Sequence, residues 1–435
     1  MASSYFFYAW GETFILAVLL ISSYIDYIIS LRLEKGENNK KILLGIAIGL
    51  NVLSLVYFKY ANFFIGQSID LLQFFGLKLG QWKEIALPIG ISFFTFQKIS
   101  YLVDVYRGTT EPAKRLHHYL LYVSFFPQLI AGPIVRYKDI YLQIIDRHSS
   151  FSDIGIGFNR FALGLSKKVL IANPMAQIAD SILSHPIDTL PGAYLWLAIL
   201  AYSLQIYFDF SGYSDMAIGI ARMFGFRILE NFNRPYIAKS ITEFWRRWHI
   251  SLSNWMRDYL YIPLGGNRIN PTKTYFNLWI VFLLSGFWHG ASWNFILWGA
   301  FHGTLITFEK WKKNTSTLTL PSWSQQAVTF LFVLIGWIIF RLETIPEVGT
   351  FIIGMVTPNG FFSDGFMPLF EIISPRSRFT LLIAAIIAFT PIIRSKGSIL
   401  KLPLVLQTTA AWVLFALSVV SLASDSYNPF IYFRF

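Results

Sequence analysis

The sequence of 435 residues contains no cysteine and few charged residues. The absence of cysteine excludes disulfide bonds, thiolate metal sites and a cysteine nucleophile. Charged residues make up 14% of the chain, whereas soluble domains carry about 25%. Apolar residues make up 54% and aromatic residues 18%, and the mean hydropathy is +0.50. These proportions exclude a disordered chain, a collagen-like fibre and an ordinary water-soluble enzyme, and they predict a polytopic membrane protein built from α-helices.

Long apolar runs locate the expected membrane-spanning helices, because a helix needs roughly 20 mostly apolar residues to cross a bilayer. The clearest runs are 13–31, 42–65, 191–209, 274–289, 293–309, 326–341, 379–394 and 403–423. Weaker runs, several of them interrupted by proline or glycine, are 85–106, 117–135, 155–181 and 348–373. Interrupted runs at membrane depth are typical of re-entrant segments or cavity linings. We therefore predict about ten or eleven spans plus partial insertions, in one domain covering residues 1–435.

One segment, residues 222–273, is basic and aromatic at the same time. It contains nine Lys or Arg residues against three acidic ones, and the whole chain has a formal net charge of +12. The positive-inside rule places such a segment on the cytoplasmic side of the membrane. Its scattered aromatic residues favour an amphipathic helix lying in the membrane interface. The expected partner of these cations is anionic membrane lipid and not nucleic acid.

Three of the seven histidines lie inside apolar, aromatic, glycine-containing runs: His249, His289 and His302. His289 ends a predicted span in the run LSGFWHGASW, which covers residues 284–293. An ionisable side chain at membrane depth costs several kcal/mol unless it has a partner or a function. Both a functional histidine and a packing histidine bonded to a carbonyl group remain open at this point.

The chemistry available to a buried histidine is proton abstraction. Desolvation disfavours the imidazolium ion, so a ring in an apolar tunnel stays neutral and can take the proton of an attacking alcohol. Gly286 and Gly290 beside His289 would allow a close approach of backbone and substrate. A metal site is not predicted, since there is no HExxH motif and the spacing of His289 and His302 does not place them on one helical face. No GxSxG motif frames Ser285, which makes a serine nucleophile a weak alternative.

Two acidic residues, Asp209 and Asp215, lie among aromatic residues in the run YFDFSGYSD. A carboxylate in such surroundings requires a charged partner or a function. We favour ion pairs with arginines such as Arg222 or Arg246 that lock the fold, over a role in lining a polar tunnel.

Several long runs together resemble one known family. They are LPIGISFFTF (87–96), SYLVDVYR (100–107), FPQLIAGPIVR (126–136), YFDFSGYSDMAI (207–218), ENFNRPY (230–236), SITEFWRRWHISLS (240–253), WMRDYLYIPLGGNR (255–268) and the run around His289. The sequence is similar to the membrane-bound O-acyltransferase family, and most of all to its bacterial branch that acetylates alginate, peptidoglycan and other polysaccharides. The resemblance extends from about residue 4 to the end of the chain.

The resemblance implies a ring of helices around a central tunnel that joins the two faces of the membrane. It implies that His289 is the catalytic histidine and that His249 occupies the second motif position, which other branches often fill with asparagine. In this view His289 acts as the general base, and His249 orients the thioester or polarises the developing oxyanion. The candidates for binding the donor are Arg246, Arg247, Trp248 and Lys273, whose cations suit CoA phosphates.

The implied function is O-acetylation at a bacterial inner or plasma membrane. Cytoplasmic acetyl-CoA would be the donor substrate, with no permanently bound cofactor. The acceptor would be a polysaccharide hydroxyl, as in alginate, or an exported acetyltransferase- or esterase-like partner protein that passes the acetyl group on. The two alternatives are a D-alanyl transferase of the teichoic-acid type and, from a different class, a polysaccharide exporter or proton-coupled transporter, which the absence of internal repeats disfavours.

The two ends of the chain compare differently with the family. Relatives usually have an apolar helix before the segment that matches Ser3–Trp10, and the sequence starts inside that match. The first span, and with it the topology count, is therefore left open. The run from Asn428 to Phe435 resembles the usual ending of the family.

Overall fold

The structure is a computed structural model that describes residues 1–11, 13–34, 39–77, 82–129, 132–268, 270–315, 321–357, 373–390, 403–424 and 427–429. Every regular element within these ranges is a helix, and they contain no strand. The prediction of an all-α protein is confirmed.

The described residues up to Ile145 form eight helices and one π-helical turn. They are α1 Ala2–Gly11, α2 Thr13–Glu34, α3 Lys40–Leu55, the π turn Val56–Tyr60, α4 Ala61–Phe74, α5 Ile91–Tyr106, α6 Leu116–Val123, α7 Phe126–Leu129 and α8 Tyr137–Ile145. Because the π turn joins α3 directly to α4, residues 40–74 form one continuous helical rod.

The rest of the described chain is also helical, with several short helices in its middle. The elements are α9 Phe151–Ser166, a π turn Lys167–Ala172, α10 Asn173–Leu183, a 3₁₀ turn Ile187–Thr189, α11 Gly192–Met223, a 3₁₀ turn Pro235–Ile237, α12 Ile241–Arg247, α13 Ile250–Met256, a π turn Arg257–Tyr261, α14 Pro271–His289, α15 Trp293–Thr315, α16 Ser322–Arg341, α17 Ile345–Val356, α18 Pro375–Phe389 and α19 Leu404–Ser424. The long helix α11 is the most enclosed of them, since most of its residues are buried.

Within the described residues, five helical stretches are long and apolar enough to cross a membrane: Phe14–Glu34, Lys40–Phe74, Gly192–Met223, Ser322–Arg341 and Val405–Ser424. The predicted spans at 274–289 and 293–309 form α14 and α15, which do not meet that standard. Polar residues lower their mean hydropathy, some of them buried, such as Asn277 and His302, and others exposed, such as Lys273 and Lys312. The described residues therefore support a polytopic protein but not the expected count of ten or eleven spans. The predicted runs at 348–373 and 379–394 lie partly outside the described residues.

Proline and glycine determine where the interrupted apolar runs become helical or change their helical geometry. The run at 85–106 becomes helical only at Ile91, after Gly90 in a left-handed conformation with φ of 79°. The run at 155–181 stays helical but widens into the π turn Lys167–Ala172 just before Pro174. Proline has no backbone N–H and its ring clashes with the preceding turn, which a wider turn relieves.

The contact between α9 and α11 is made by glycines. A methyl group added to Gly164 would lie 2.5 Å from the carbonyl oxygen of Gly212, and one added to Gly157 would lie 2.6 Å from that of Gly219. The reverse additions, at Gly212 and Gly219, collide with the carbonyl oxygens of the partner glycines in the same way. The two helices therefore touch backbone to backbone at two points seven residues apart.

Buried ion pairs join the same helices. Arg160 Nη2 lies 2.6 Å from Asp215 Oδ1, and Lys167 Nζ lies 2.6 Å from Asp215 Oδ2. Lys168 Nζ lies 2.9 Å from Asp209 Oδ1. Both acidic residues are thus paired with cations, as expected of carboxylates that lock a fold.

The cations themselves differ from the expected ones. Arg222 pairs with Asp153 at 2.7 Å, and Arg246 is exposed. The partners of the two buried aspartates come instead from α9 and its π turn, because the glycine contact brings that helix against the acidic side of α11. The sequence reveals the need for partners but not which helix supplies them.

Candidate active site around His249 and His289

His249 lies where two short helices meet. Helix α12 ends at Arg247, Trp248 is extended, and His249 adopts the left-handed conformation (φ 43°, ψ 55°) before α13 begins. A residue other than glycine in this conformation is uncommon, and such strain concentrates at functional sites. The amphipathic helix expected within segment 222–273 is therefore not one continuous helix, since short helices and turns replace it. The helix is interrupted at His249, and the side chain of Trp248 is buried.

Asn231 fixes the tautomer of His249. The side-chain oxygen Oδ1 of Asn231 accepts a hydrogen bond from the backbone N–H of Ser251 (3.2 Å) and from its hydroxyl (2.9 Å), while Nδ2 donates to Ser214 Oγ at 3.1 Å. The same Oδ1 lies 3.1 Å from His249 Nδ1. Because Oδ1 only accepts, Nδ1 must carry the proton.

Nε2 of His249 consequently holds a lone pair. Burial lowers the pKa of His249 to about 3, so the ring is neutral at pH 7. Nε2 is itself buried and has no hydrogen-bond partner within the described chain. An unpaired acceptor in such a place is costly, which is consistent with a group that meets a substrate.

His289 is the last residue of α14, and its side chain is only half-buried although its neighbours Trp288 and Gly290 are buried. Its ring packs edge-to-face against Trp288, Trp298 and Phe340, with centroid distances of 4.9, 5.2 and 5.2 Å. Neither ring nitrogen has a hydrogen bond to any described residue. The alternative of a packing histidine bonded to a carbonyl group is therefore not what these residues form.

Lys59 holds the end of α14 in place. Its Nζ donates to the carbonyl oxygen of Trp288 and, at 3.2 Å, to that of His289. The hydroxyl of Tyr60 donates to the carbonyl oxygen of Phe287 at 3.0 Å. The last carbonyls of a helix lack intrahelical partners and carry partial negative charge, so a lysine there is favourable. The π turn Val56–Tyr60 thus positions the backbone that carries His289.

Gly286 and Gly290 serve the packing of α15 against α14. A methyl group on Gly286 would lie 2.2 Å from the carbonyl oxygen of Phe295, and one on Gly290 would lie 2.1 Å from the Phe295 ring. The predicted close approach of backbone segments is confirmed. The close approach of a substrate at these glycines stays a prediction.

His302 has a different environment from the other two histidines. It lies on α15, is 1% exposed, and packs against Trp298 and Trp245 with centroid distances of 4.8 and 5.0 Å. Trp298 contacts both His302 and His289. Trp288 contacts both His289 and His249, with centroid distances of 4.9 and 6.4 Å. His249 and His289 thus share one indole neighbour, whereas His302 packs against other aromatic rings.

The four residues predicted to bind the donor do not form one patch. Arg246 and Lys273 are exposed, and no described residue forms an ion pair with either side chain. Arg247 is held by Glu243 at 2.7 Å. Trp248 is 4% exposed in the main hydrophobic core, where it cannot reach a soluble cofactor without repacking. Arg246 and Lys273 are therefore the accessible members of the predicted set.

Asn231 and Lys59 were not identified from the sequence as site residues. Asn231 lies in the run ENFNRPY, and Lys59 is a single cation within the apolar run 42–65. A lone charge in a predicted span was the available signal for Lys59, whereas nothing local distinguishes Asn231. Among the described residues there is also no group of three or more His, Asp or Glu side chains that could hold a metal ion.

Known proteins show similarity over the whole of this site. A sequence model of the membrane-bound O-acyltransferase family matches residues 2–345. The chain is 41% identical to the probable alginate O-acetylase AlgI of Pseudomonas putida, over 100% of this chain and 93% of that protein. It is 38% identical to the peptidoglycan O-acetyltransferase of Helicobacter pylori, over 82% of this chain and 73% of that protein. It is 31% identical to the teichoic acid D-alanyltransferase of Bacillus subtilis, over 58% of this chain and 68% of that protein.

Proposed function

The chain belongs to the membrane-bound O-acyltransferase family, and we propose that it transfers an acetyl group from cytoplasmic acetyl-CoA to a hydroxyl group used in modifying an extracytoplasmic polysaccharide. The family makes it a multi-pass membrane enzyme and an O-acyltransferase, which sets aside the exporter and transporter alternative. Similarity to an alginate O-acetylase over the whole chain supports acetyl as the acyl group and alginate or a related glycan as the acceptor. The proposed location is the bacterial inner membrane.

The observation that carries the proposal is the state of His289, which is half-buried among aromatic rings and whose ring nitrogens have no hydrogen-bond partner in the described part of the chain. Such a nitrogen can take the proton of the acceptor hydroxyl while the hydroxyl oxygen attacks the thioester carbonyl carbon. A C–O bond forms, the C–S bond breaks, and the imidazolium returns the proton to the CoA thiolate. The products are an O-acetyl ester and free CoA, with no covalent intermediate on the enzyme.

The tautomer of His249 restricts its part in this reaction. With the proton on Nδ1, Nε2 can accept a hydrogen bond but cannot donate one to an oxyanion. Polarising the oxyanion, one of the two roles implied by the family resemblance, would require a second proton that burial opposes. We therefore assign His249 the orienting role, in which Nε2 accepts a hydrogen bond from an N–H or O–H group of a substrate.

The donor and the acceptor would reach His289 from opposite faces of the membrane through a tunnel. The basic segment 222–273 supports entry of acetyl-CoA from the cytoplasm, with Arg246 and Lys273 meeting its phosphates. The acceptor would be presented either directly as a glycan or by an exported partner protein. Acetyl-CoA is a substrate in this scheme, and no permanently bound cofactor is required.

The identity of the donor is tested with the full-length protein in lipid nanodiscs. We expect release of free CoA and acetylation of alginate oligosaccharides from labelled acetyl-CoA, and no transfer from D-alanyl carrier protein. Reactions without the protein or without oligosaccharide are the controls. Transfer of D-alanine in preference to acetyl would overturn the proposed donor while leaving the family assignment intact.

The orienting unit of Asn231 and His249 is tested with Asn231→Ala and Asn231→Asp. Alanine frees Nδ1, and we expect kcat to fall about 10- to 100-fold, the loss seen when the hydrogen-bond partner of a metal-binding histidine is removed. Aspartate keeps the accepting oxygen but stabilises the imidazolium form, which raises the pKa of His249. If activity requires neutral His249, then, as the pH is lowered, Asn231→Asp loses activity at a higher pH than the natural protein does.

The control for this pair is Asn254→Asp on α13, which makes the same change in a side chain that does not contact His249. Its pH profile is expected to match that of the natural protein. His289 lies close to His249 and also titrates, so it can contribute to the pH profile. The profile is therefore recorded both for kcat and for kcat/KM. An Asn231→Asp profile that coincides with the control would show that Asn231 has a structural role alone.

A further inference from the structure

A cavity of about 300 Å³ lies away from the histidines, between α9, α11, α19 and the segment after α11. Three arginines line it, namely Arg160, Arg222 and Arg227. Apolar side chains, including Leu163, Ile218 and Leu414, form the rest of the wall. The cavity thus combines a cationic side with an apolar side, which suits an amphiphilic ligand with an anionic headgroup.

The three arginines differ in how far their charge is compensated. Arg160 is bonded to Asp215 and to Glu230, with 2.6 Å between Nη2 and each carboxylate. Arg222 pairs with Asp153 at 2.7 Å. Arg227 is exposed, and its guanidinium has no ion-pair partner in the described part of the chain. A positive charge is therefore left over at the rim.

The apolar side of the cavity includes α19, a helix that would contact the membrane. Helix α19 is a candidate membrane span, and only 11% of its most apolar stretch is buried. Val405 and Val420 on it are 74% and 66% exposed, whereas Ala411, which lines the cavity, is 5% exposed. In a bilayer the exposed face of α19 would meet acyl chains, and Ala411 and Leu414 of the same helix line the apolar side of the cavity.

We propose that this cavity binds one anionic phospholipid, with its phosphate at Arg227 and Arg222 and the upper part of an acyl chain against Leu163, Ile218 and Ala411. Charge complementarity favours an anionic over a zwitterionic headgroup. The positive-inside rule places the arginines in the cytoplasmic leaflet, where anionic lipids attract such cations.

The proposed site shares a wall with the orienting unit of the active site. Glu230, paired with Arg160 in the cavity wall, directly precedes Asn231 in the chain. Ser214 and Asp215 of α11 are neighbours in the same way, one bonded to Asn231 and the other to Arg160. A bound lipid would therefore stabilise the segment that holds His249, although the site does not depend on the proposed reaction.

Lipid binding is measured by native mass spectrometry of the full-length protein in detergent, titrated with phosphatidylglycerol or with phosphatidylcholine. We expect one tightly bound phosphatidylglycerol per chain and weaker binding of phosphatidylcholine. Arg227→Gln should lower the affinity for phosphatidylglycerol about fivefold, the factor expected from about 1 kcal/mol per cation near a membrane surface. Ala411→Leu should also weaken binding, since the added carbons occupy the oily part of the cavity.

The matched control is Arg268→Gln, which removes an exposed cation from the same basic segment but outside the cavity. It should bind phosphatidylglycerol as the natural protein does. Equal affinity for the two lipids, or binding by Arg227→Gln and Ala411→Leu that equals the control, would overturn the proposal. So would displacement of phosphatidylglycerol by coenzyme A with the same dependence on Arg227, because the cavity would then belong to the acyl donor.

Discussion

Replacing His289 with alanine or glutamine is expected to lower kcat for acyl transfer by about 10²- to 10⁴-fold, the range that a positioned general base contributes. His289 is the half-buried histidine whose ring nitrogens have no hydrogen bond to any described residue, so a nitrogen of the ring is available to accept the proton of the acceptor hydroxyl. Glutamine is the sharper variant, because it fills a similar volume and is polar but has no basic nitrogen. Transfer of label from acetyl-CoA to alginate oligosaccharide measures the loss.

His302→Gln is the matched control for His289→Gln. Both changes remove an imidazole that packs against Trp298, but His302 has no place in the proposed reaction. We expect less than about a tenfold effect on kcat from His302→Gln, with similar thermal stability for both variants. Acyl transfer by His289→Gln at the natural rate, or an equal loss in both variants, would contradict the assignment of His289 as the base.

The second large effect concerns stability. Lys98 on α5 and Asp26 on α2 form an ion pair at 3.1 Å in which both side chains are 2% exposed. Asn51 on α3 donates from Nδ2 to both oxygens of Asp26, at 3.0 and 3.1 Å. Lys98→Met leaves the carboxylate buried without its cation, and removing one partner of a buried pair typically costs about 3–5 kcal/mol. The loss is measured as a lower unfolding temperature of the detergent-solubilised protein.

The double variant Asp26→Leu/Lys98→Met separates the missing charge partner from the lost side-chain volume. Replacing both members of a buried ion pair with apolar residues is often neutral or stabilising, so the double variant should recover most of the stability lost by Lys98→Met. Lys41→Met, an exposed lysine near the start of α3, should behave as the natural protein does. A double variant as unstable as Lys98→Met would show that packing, not charge, holds these three helices together.

The sequence was sufficient to predict the helical class and the burial of His249, whereas His289 is only half-buried. Both predictions depend on local properties, namely the length of apolar runs and an ionisable residue inside them. The break at His249 was not predictable in this way. Its left-handed backbone is held by contacts with Asn231, eighteen residues earlier in the chain, and no local pattern encodes that pairing.

The partners of the buried aspartates show the same limit. The aromatic surroundings of Asp209 and Asp215 require cations, and the structure contains them. Which cations approach depends on the packing of α9 against α11, a tertiary contact made by glycines that have no side chain to mark it. The roles of His289, His249, Arg246 and Lys273 in acyl transfer stay predictions until the variants are measured.

The backbone contact between α9 and α11 limits how the proposed active site can be reshaped. Ser214, which bonds to Asn231, lies two residues after Gly212, where the two helices already touch. The two helices cannot move closer together at that point. In the proposed reaction, room for a longer acyl group would therefore have to come from smaller side chains in place of Trp298 or Phe340 beside His289, while the helix spacing stays the same.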